Sequence, residues 1–367
     1  MIRVNLSIYK KSIKFFYLFD ALIKNEIYNK EEFLKSKGIT PNSYRRARNI
    51  EQRIGGEIIL KLSEHFKYNI PSNDLIDDLE KLANSIYNDM YYKIFKNYDY
   101  YVMEIENMIN KNYNIFPILI LLKLLLQINS PIKKPEIMSN AISSYEELKK
   151  YKRFFNEGLL KIFELLYLTF EKDTTKHALS EEISDGYSYF ILSHRSLQNK
   201  KYIDCLYFAD KAKNILIKEN NLKRIVHLNF DIMNSLNCVK NYKTCLDIAE
   251  KQMLALESFD CEGFEKEITL KHMLISALGL KKYELILNLL SDNKILTLTE
   301  LTCYLYSLSK VSINEYKKYY ERNVLEKNNK EFLETLNYYI IHKNRKGILK
   351  LENYEINKLV IETLKNA

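Results

Sequence analysis

Three stretches of this 367-residue chain align without a gap: 200–212 (KKYIDCLYFADKA), 240–252 (KNYKTCLDIAEKQ) and 281–293 (KKYELILNLLSDN). Their starts lie 40 and 41 residues apart. Each carries a tyrosine in third place (Tyr202, Tyr242, Tyr283). Three, four and seven residues later come Cys205, Leu206 and Ala209, then Cys245, Leu246 and Ala249, then Ile286, Leu287 and Leu290. That spacing gathers the four positions on one stripe of a helix, and an alanine in the stripe lets a second helix approach closely. A fainter copy, KNYDYYVMEI, brings Tyr98, Tyr101, Val102 and Ile105 to the same pattern. Self-similarity at this period predicts helix pairs stacked from about residue 90 to 310, because a lone pair cannot bury its apolar face. The first helices of successive pairs are expected at 183–198, 222–238 and 264–280.

Composition points the same way. The chain holds only 8 glycines and 5 prolines, too few for a sandwich or barrel built on tight turns, where glycine alone averages roughly 7%. Hydrophobic residues make up 47% and charged residues 28%, which suits a folded core and not a disordered chain. The fold class expected is all-α. The strongest apolar run, Ile115 to Ile128, is interrupted by Pro117, Lys123 and Gln127. It is shorter than the roughly 20 residues that span a bilayer, so it reads as a buried helix with no membrane role. Beyond Ser312, Tyr316, Tyr319, Tyr320, Tyr338 and Tyr339 read as packing within C-terminal capping helices. Five cysteines (Cys205, Cys238, Cys245, Cys261, Cys303) form no CxxC pair and read as reduced core residues of a cytoplasmic protein. Asp20 and scattered lysines interrupt the first apolar stretch, so no signal sequence is expected.

The charge is uneven. Residues 1–67 carry 14 Lys and Arg against 7 Asp and Glu, so this stretch supplies +7 of the formal +9. A basic first module ahead of a neutral remainder is the pattern of a nucleic-acid-binding module joined to a partner domain. Within it, residues 5–24 read as a helix with Leu6, Ile13, Phe16, Tyr17, Leu18 and Ile23 on its apolar side. Residues 29–53 (NKEEFLKSKGITPNSYRRARNIEQR) then read as two helices around a turn. Asn29 and Glu32 form a capping box, Phe33 and Leu34 face inward, and Gly38 supplies the positive φ of the turn. Thr40 caps a second helix that has Pro41 in its first position. Tyr44, Ala47, Ile50 and Ile54 fall on its inward side.

The other side is polar: Asn42, Arg45, Asn49 and Gln52, with Ser43, Arg46, Arg48 and Arg53 beside them. In a major groove, arginine reads guanine edges and Asn or Gln reads adenine, while short donors near the helix start meet phosphates. Ser43 and Tyr44 are the candidate phosphate contacts. The pattern resembles the helix-turn-helix family, although Leu34 and Lys37 depart from its usual small and apolar residues. A basic three-helix bundle that merely docks on the rest of the chain is the plainer alternative. The domains expected are 1–70, for DNA, and 71–367.

The repeats are similar to tetratricopeptide (TPR) repeats, with a longer period than that family's roughly 34 residues. Such arrays present a concave face to a peptide. The polar residues of the first helices make Tyr187, His194, Arg224, Asn229, Asn234, Asn237 and Lys271 the candidate peptide-binding set. A side-chain amide donates and accepts together, which suits Asn234 and Asn237 to clamping a peptide backbone.

A helix-turn-helix followed by TPR-like repeats resembles the RRNPP group of peptide-pheromone-responsive regulators, which includes the Rgg, PlcR, PrgX and AimR types. The resemblance implies a cytoplasmic homodimer. Its repeat domain would bind a short signalling peptide and so change binding to a double-stranded DNA operator. The alternative, like the Rap-type members, is a repeat protein that acts on a protein partner without touching DNA. An enzyme is not expected. The six histidines are scattered, and no HExxH, GxSxG or phosphate-binding glycine loop occurs,. No motif calls for a cofactor or metal.

Overall fold

The computed structural model describes residues 2–11, 14–49, 56–94, 96–129, 135–170, 185–258, 263–291, 296–325, 330–342 and 345–366. Among them every regular element is helical, and the only bridge is an isolated one between Asn69 and Tyr113. The chain forms two compact units. One comprises residues 1–192 and 214–224, the other residues 193–213 and 225–367. The boundary expected near residue 70 falls inside the first.

The first unit opens with α1 (Phe15–Glu26), α2 (Lys30–Ser36), α3 (Pro41–Asn49) and α4 (Gly56–His65). It continues with α5 (Asn73–Tyr91), α6 (Tyr98–Asn110), α7 (Phe116–Ile128), α8 (Pro135–Leu148) and α9 (Glu157–Phe170). The apolar run at 115–128 is indeed a buried helix. Pro117 sits in the first turn of α7, where no amide partner is lost, and eight of the helix's residues are buried,. No helix among the described residues is long and apolar enough to cross a membrane.

One expectation fails at the start of the chain. A helix over 5–24 is not formed. Among the described residues, 2–6 have no regular secondary structure, Ser7–Lys11 is a 3-10 turn and α-helix runs from Phe15, while Ile13 lies outside them. The reason is tertiary. The amide of Val4 donates to Asn84 Oδ1 (2.9 Å), that of Leu6 donates to Glu80 Oε2 (2.6 Å), and Asn84 Nδ2 donates back to the Val4 carbonyl (2.8 Å). Side chains of α5 thus satisfy main-chain donors that a helix starting at residue 5 would have left without an internal partner.

The second unit contains parts of α10 (Gly186–Gln198), α11 (Tyr202–Lys218) and α12 (Leu222–Cys238). All of α13 (Tyr242–Ser258), α14 (Gly263–Gly279), α15 (Tyr283–Leu290), α16 (Leu298–Val311) and α17 (Ile313–Leu325) belong to it. So do α18 (Lys330–His342), α19 (Arg345–Leu351) and α20 (Lys358–Asn366). The three sequence repeats fall in register here. Lys200, Lys240 and Lys281 each adopt a left-handed conformation (φ 60°, 61° and 59°) directly after α10, α12 and α14. Each time the same pair of bonds closes the helix, for example Lys240 N–H to the Asn237 carbonyl and Asn241 N–H to the Leu236 carbonyl,. The shared Lys-Lys/Asn-Tyr therefore encodes one turn used three times.

Seven of the nine positions that follow the repeat tyrosines are packing positions, while Leu206 and Leu287 are only half-buried. Cys205, Ala209, Cys245, Leu246, Ala249, Ile286 and Leu290 are all buried. The repeat tyrosine Tyr283 reaches forward to Tyr306 of α16, with ring centroids 6.2 Å apart. Tyr242 lies so close to Gly279 that a Cβ there would sit 2.4 Å from the ring. Gly279→Ala is therefore expected to cost about 1–3 kcal/mol through overpacking, measured as a lowered urea midpoint with unchanged helicity. Cys205, Cys238, Cys245 and Cys303 are free thiols, and Cys261 lies outside the described residues.

Candidate functional site

The basic first module is built on α1 to α4. Asn29 caps α2 by accepting the Glu32 amide (3.2 Å). The return bond runs from Asn29 Nδ2 to the Glu32 carboxylate, not from the Asn29 backbone as expected of a capping box. Gly38 takes φ +66°. Its amide donates to the Lys35 carbonyl and that of Ile39 to the Leu34 carbonyl, both at 2.9 Å. These two bonds close α2 and bury Leu34 and Ile39 together,. Leu34, larger than the residue usual at that place, is thus a core residue. Thr40 Oγ1 accepts the Ser43 amide (3.0 Å) and caps α3, with Pro41 in its first position as expected.

The two faces of α3 now separate. Tyr44 is buried against Phe16 of α1 (centroids 5.9 Å apart), and its hydroxyl donates to Asp20 (3.0 Å). Lys30 completes this corner, 2.6 Å from Asp20 and 4.7 Å above the Tyr44 ring. Tyr44 therefore takes its inward role, and its candidacy as a phosphate contact is withdrawn because its hydroxyl is committed to Asp20. Asn42, Ser43, Arg45 and Arg46 are exposed. The Ser43 hydroxyl shares the cap, 2.7 Å from Thr40 Oγ1. Arg48 and Asn49 belong to α3, while Gln52 and Arg53 lie outside the described residues.

The candidate peptide set divides in the same way. Tyr187 and Arg224 are interior to the first unit, each 5% exposed. The Arg224 guanidinium lies 4.7 Å above the Tyr187 ring and 5.0 Å from that of Phe190. It donates to the Met90 and Tyr91 carbonyls that end α5. A cation at a helix C-terminus meets the negative end of the helix dipole, and burial pulls the Arg224 pKa down from its usual value. The Tyr187 hydroxyl donates to Asn129 (3.0 Å). Neither side chain lines an open face, which corrects their place in the set.

In the second unit Asn237 is also interior. Its Nδ2 lies 3.1 Å from His272 Nδ1, and its Oδ1 accepts from Ser276 (2.9 Å). Clamping a peptide would break both bonds inside a low-dielectric core, so Asn237 is corrected to a structural residue. Asn229 is half-buried and donates to Gln252 (2.8 Å), which donates on to Thr269 (3.0 Å). His194 is exposed beside buried Asp231 (3.1 Å), Asn234 is half-buried, and Lys271 pairs with Glu267 one turn back (2.7 Å). Of the candidate set, His194 is exposed and Asn229, Asn234 and Lys271 are half-buried. Sequence reasoning missed Asp231 and the His227–Glu265 pair (3.3 Å), because pairing between helices has no signal in a single sequence.

His272 yields a prediction about pH. Burial pushes its pKa down to about 4, and as the acceptor of the Asn237 amide its imidazole is neutral. The unfolded value is near 6.5. Below that pH the unfolded chain takes up a proton that the folded chain refuses. Stability is therefore complete above about pH 6.5 and falls as pH drops toward 4, by about 2 kcal/mol between pH 6.5 and 5. Urea titrations across that range check it. His272→Asn, which keeps an acceptor for Asn237, should flatten the slope by that amount.

Comparison with protein-family models, with curated proteins and with solved structures gives no match for this chain.

Proposed function

We propose that this chain is a cytoplasmic DNA-binding transcriptional regulator. In this reading α2 and α3 form a helix-turn-helix, and the repeated helices of the second unit form a TPR-like array that senses a short signalling peptide. The observation that carries the reading is the two-sidedness of α3. Tyr44 anchors the helix to α1, while Asn42, Ser43, Arg45 and Arg46 face solvent in the stretch that holds +7 of the +9 charges. A rigidly seated helix with a free arginine- and amide-bearing side is what major-groove reading requires. The sequence adds Arg48 and Asn49 to the proposed DNA-contacting set, together with Gln52 and Arg53, which lie outside the described residues. A homodimer would present two such helices to an inverted repeat, and the RRNPP group remains the resemblance that fits this division of labour. Peptide contacts fall to His194, Asn229, Asn234 and Lys271. Peptide would bias one arrangement of the repeats and so the population able to bind DNA.

The test is capture of fragmented genomic DNA by the full chain at two salt concentrations, followed by sequencing. Enrichment of a short inverted repeat is expected, with affinity falling roughly a thousandfold between 50 and 200 mM salt as phosphate contacts release counterions. Absence of enrichment, with and without culture-derived peptides, would favour the protein-partner reading instead.

A further inference from the structure

Residues 2–6 pack against α5 and the start of α9 within the first unit. They have no regular secondary structure. Their backbone is held by side chains: Asn84 both donates to and accepts from Val4, Glu80 accepts the Leu6 amide, and Asn156 donates to the Asn5 carbonyl. Gly158, in the first turn of α9, permits the approach, since a Cβ there would sit 2.5 Å from the Arg3 carbonyl oxygen. Val4 and Leu6 are fully buried, whereas Arg3, Asn5 and Ser7 point to solvent. This alternation is that of an extended strand read from one side. Tyr9 follows, buried, its hydroxyl on the Phe154 carbonyl (2.7 Å).

We propose that the cleft between α5 and the start of α9 is a backbone-reading site for an extended peptide. Residues 2–6 fill it in cis, and the same stretch of a second copy of this chain can fill it in trans. The polar groups of the cleft address main-chain atoms, which any extended segment offers. The two apolar sites select aliphatic residues two positions apart. That division, main chain for affinity and alternate side chains for selectivity, is how extended peptides are recognised by folded domains. Apart from the Leu6 carbonyl, which accepts the Tyr9 amide of the following 3-10 turn, the segment makes its polar bonds to side chains, so it can leave without unwinding α5 or α9. The inference is independent of the DNA-binding reading.

A fluorescent peptide of residues 2–11 (IRVNLSIYKK) is titrated against full-length protein. The intact chain, its cleft filled, is expected to bind at least roughly tenfold more weakly than the variant Val4→Asp/Leu6→Asp, in which the occupant is weakened and the cleft is untouched. Adding Asn84→Ala to that variant should abolish the gain, and a scrambled peptide should not bind. Binding of the scrambled peptide equal to the true one would overturn the proposal, as would a folded Val4→Asp/Leu6→Asp variant that binds nothing. Failure of that variant to fold would also overturn it, since the segment would then be integral core. In the wild type, hydrogen exchange gives a second reading. The Val4 and Leu6 amides should exchange at least roughly tenfold faster than the buried amides of α5. Equal protection would mean that the segment does not leave.

Discussion

On the proposed DNA-binding reading, Arg45→Ala combined with Arg46→Ala is expected to weaken DNA binding on the order of a hundredfold while leaving the fold intact. Both side chains are exposed on α3. A phosphate or base contact by arginine is worth about 1–3 kcal/mol, so two lost contacts reach a hundredfold without any structural change. Exposed substitutions of this kind shift stability by roughly 0.5 kcal/mol at most. Circular dichroism, melting temperature and oligomeric state should thus be unchanged while fluorescence anisotropy with labelled DNA records the loss. Tyr44→Phe supplies the contrast. It removes the hydroxyl from Asp20 and acts on the seating of α3, so its effect on DNA should appear only together with a lower melting temperature. Unaltered DNA affinity in the double alanine variant would place the reading surface elsewhere.

Arg224→Ala is expected to be the most destabilising single change considered, by about 3 kcal/mol, or roughly 8 °C in melting temperature. Two effects compete at this position. The guanidinium bonds the carbonyls of Met90 and Tyr91, but each carbonyl has another donor: the Lys93 amide for Met90 and Asn221 Nδ2 for Tyr91 (2.8 Å). Losing the arginine therefore strands neither acceptor. Burying its charge is itself costly, and apolar replacements of buried charges are often neutral. What cannot be recovered is volume, because the side chain fills the space beside Tyr187 and Phe190. Packing should win. Arg224→Met is expected to regain most of the loss, to within about 1 kcal/mol of wild type. If Met and Ala prove equally damaging, the bonds to the end of α5 matter more than the packing.

Sequence periodicity carried a long way here because helices are local structures. The i, i+3, i+4, i+7 stripes at Cys205, Cys245 and Ile286 mark buried faces, and the shared Lys-Lys/Asn-Tyr turns sit where α10, α12 and α14 end. Gly38, Thr40 and Pro41 likewise marked the turn before α3, since caps depend on a few neighbouring residues. The candidate ligand residues were less legible. Helical spacing says which residues share a face, but not whether a neighbouring helix covers it. Arg224, Tyr187 and Asn237 look like surface groups from their chemistry alone. They are interior because carbonyls, an amide or a histidine from distant segments stand ready to satisfy them.

The sequence by itself determined that the chain is helical, where α2, α3, α12 and α14 lie, and most of the buried positions of the three repeats. These follow from backbone propensity, caps and apolar spacing within a dozen residues. Only the tertiary structure decided that residues 2–6 are not helical, because the deciding partners, Asn84 and Glu80, lie more than 70 residues away. It also decided how the polar groups are used. Tyr44 holds α3 in place through Asp20, and Arg45 and Arg46 are left in solvent beside it. A polar side chain's role is set by what faces it, and that is a property of packing.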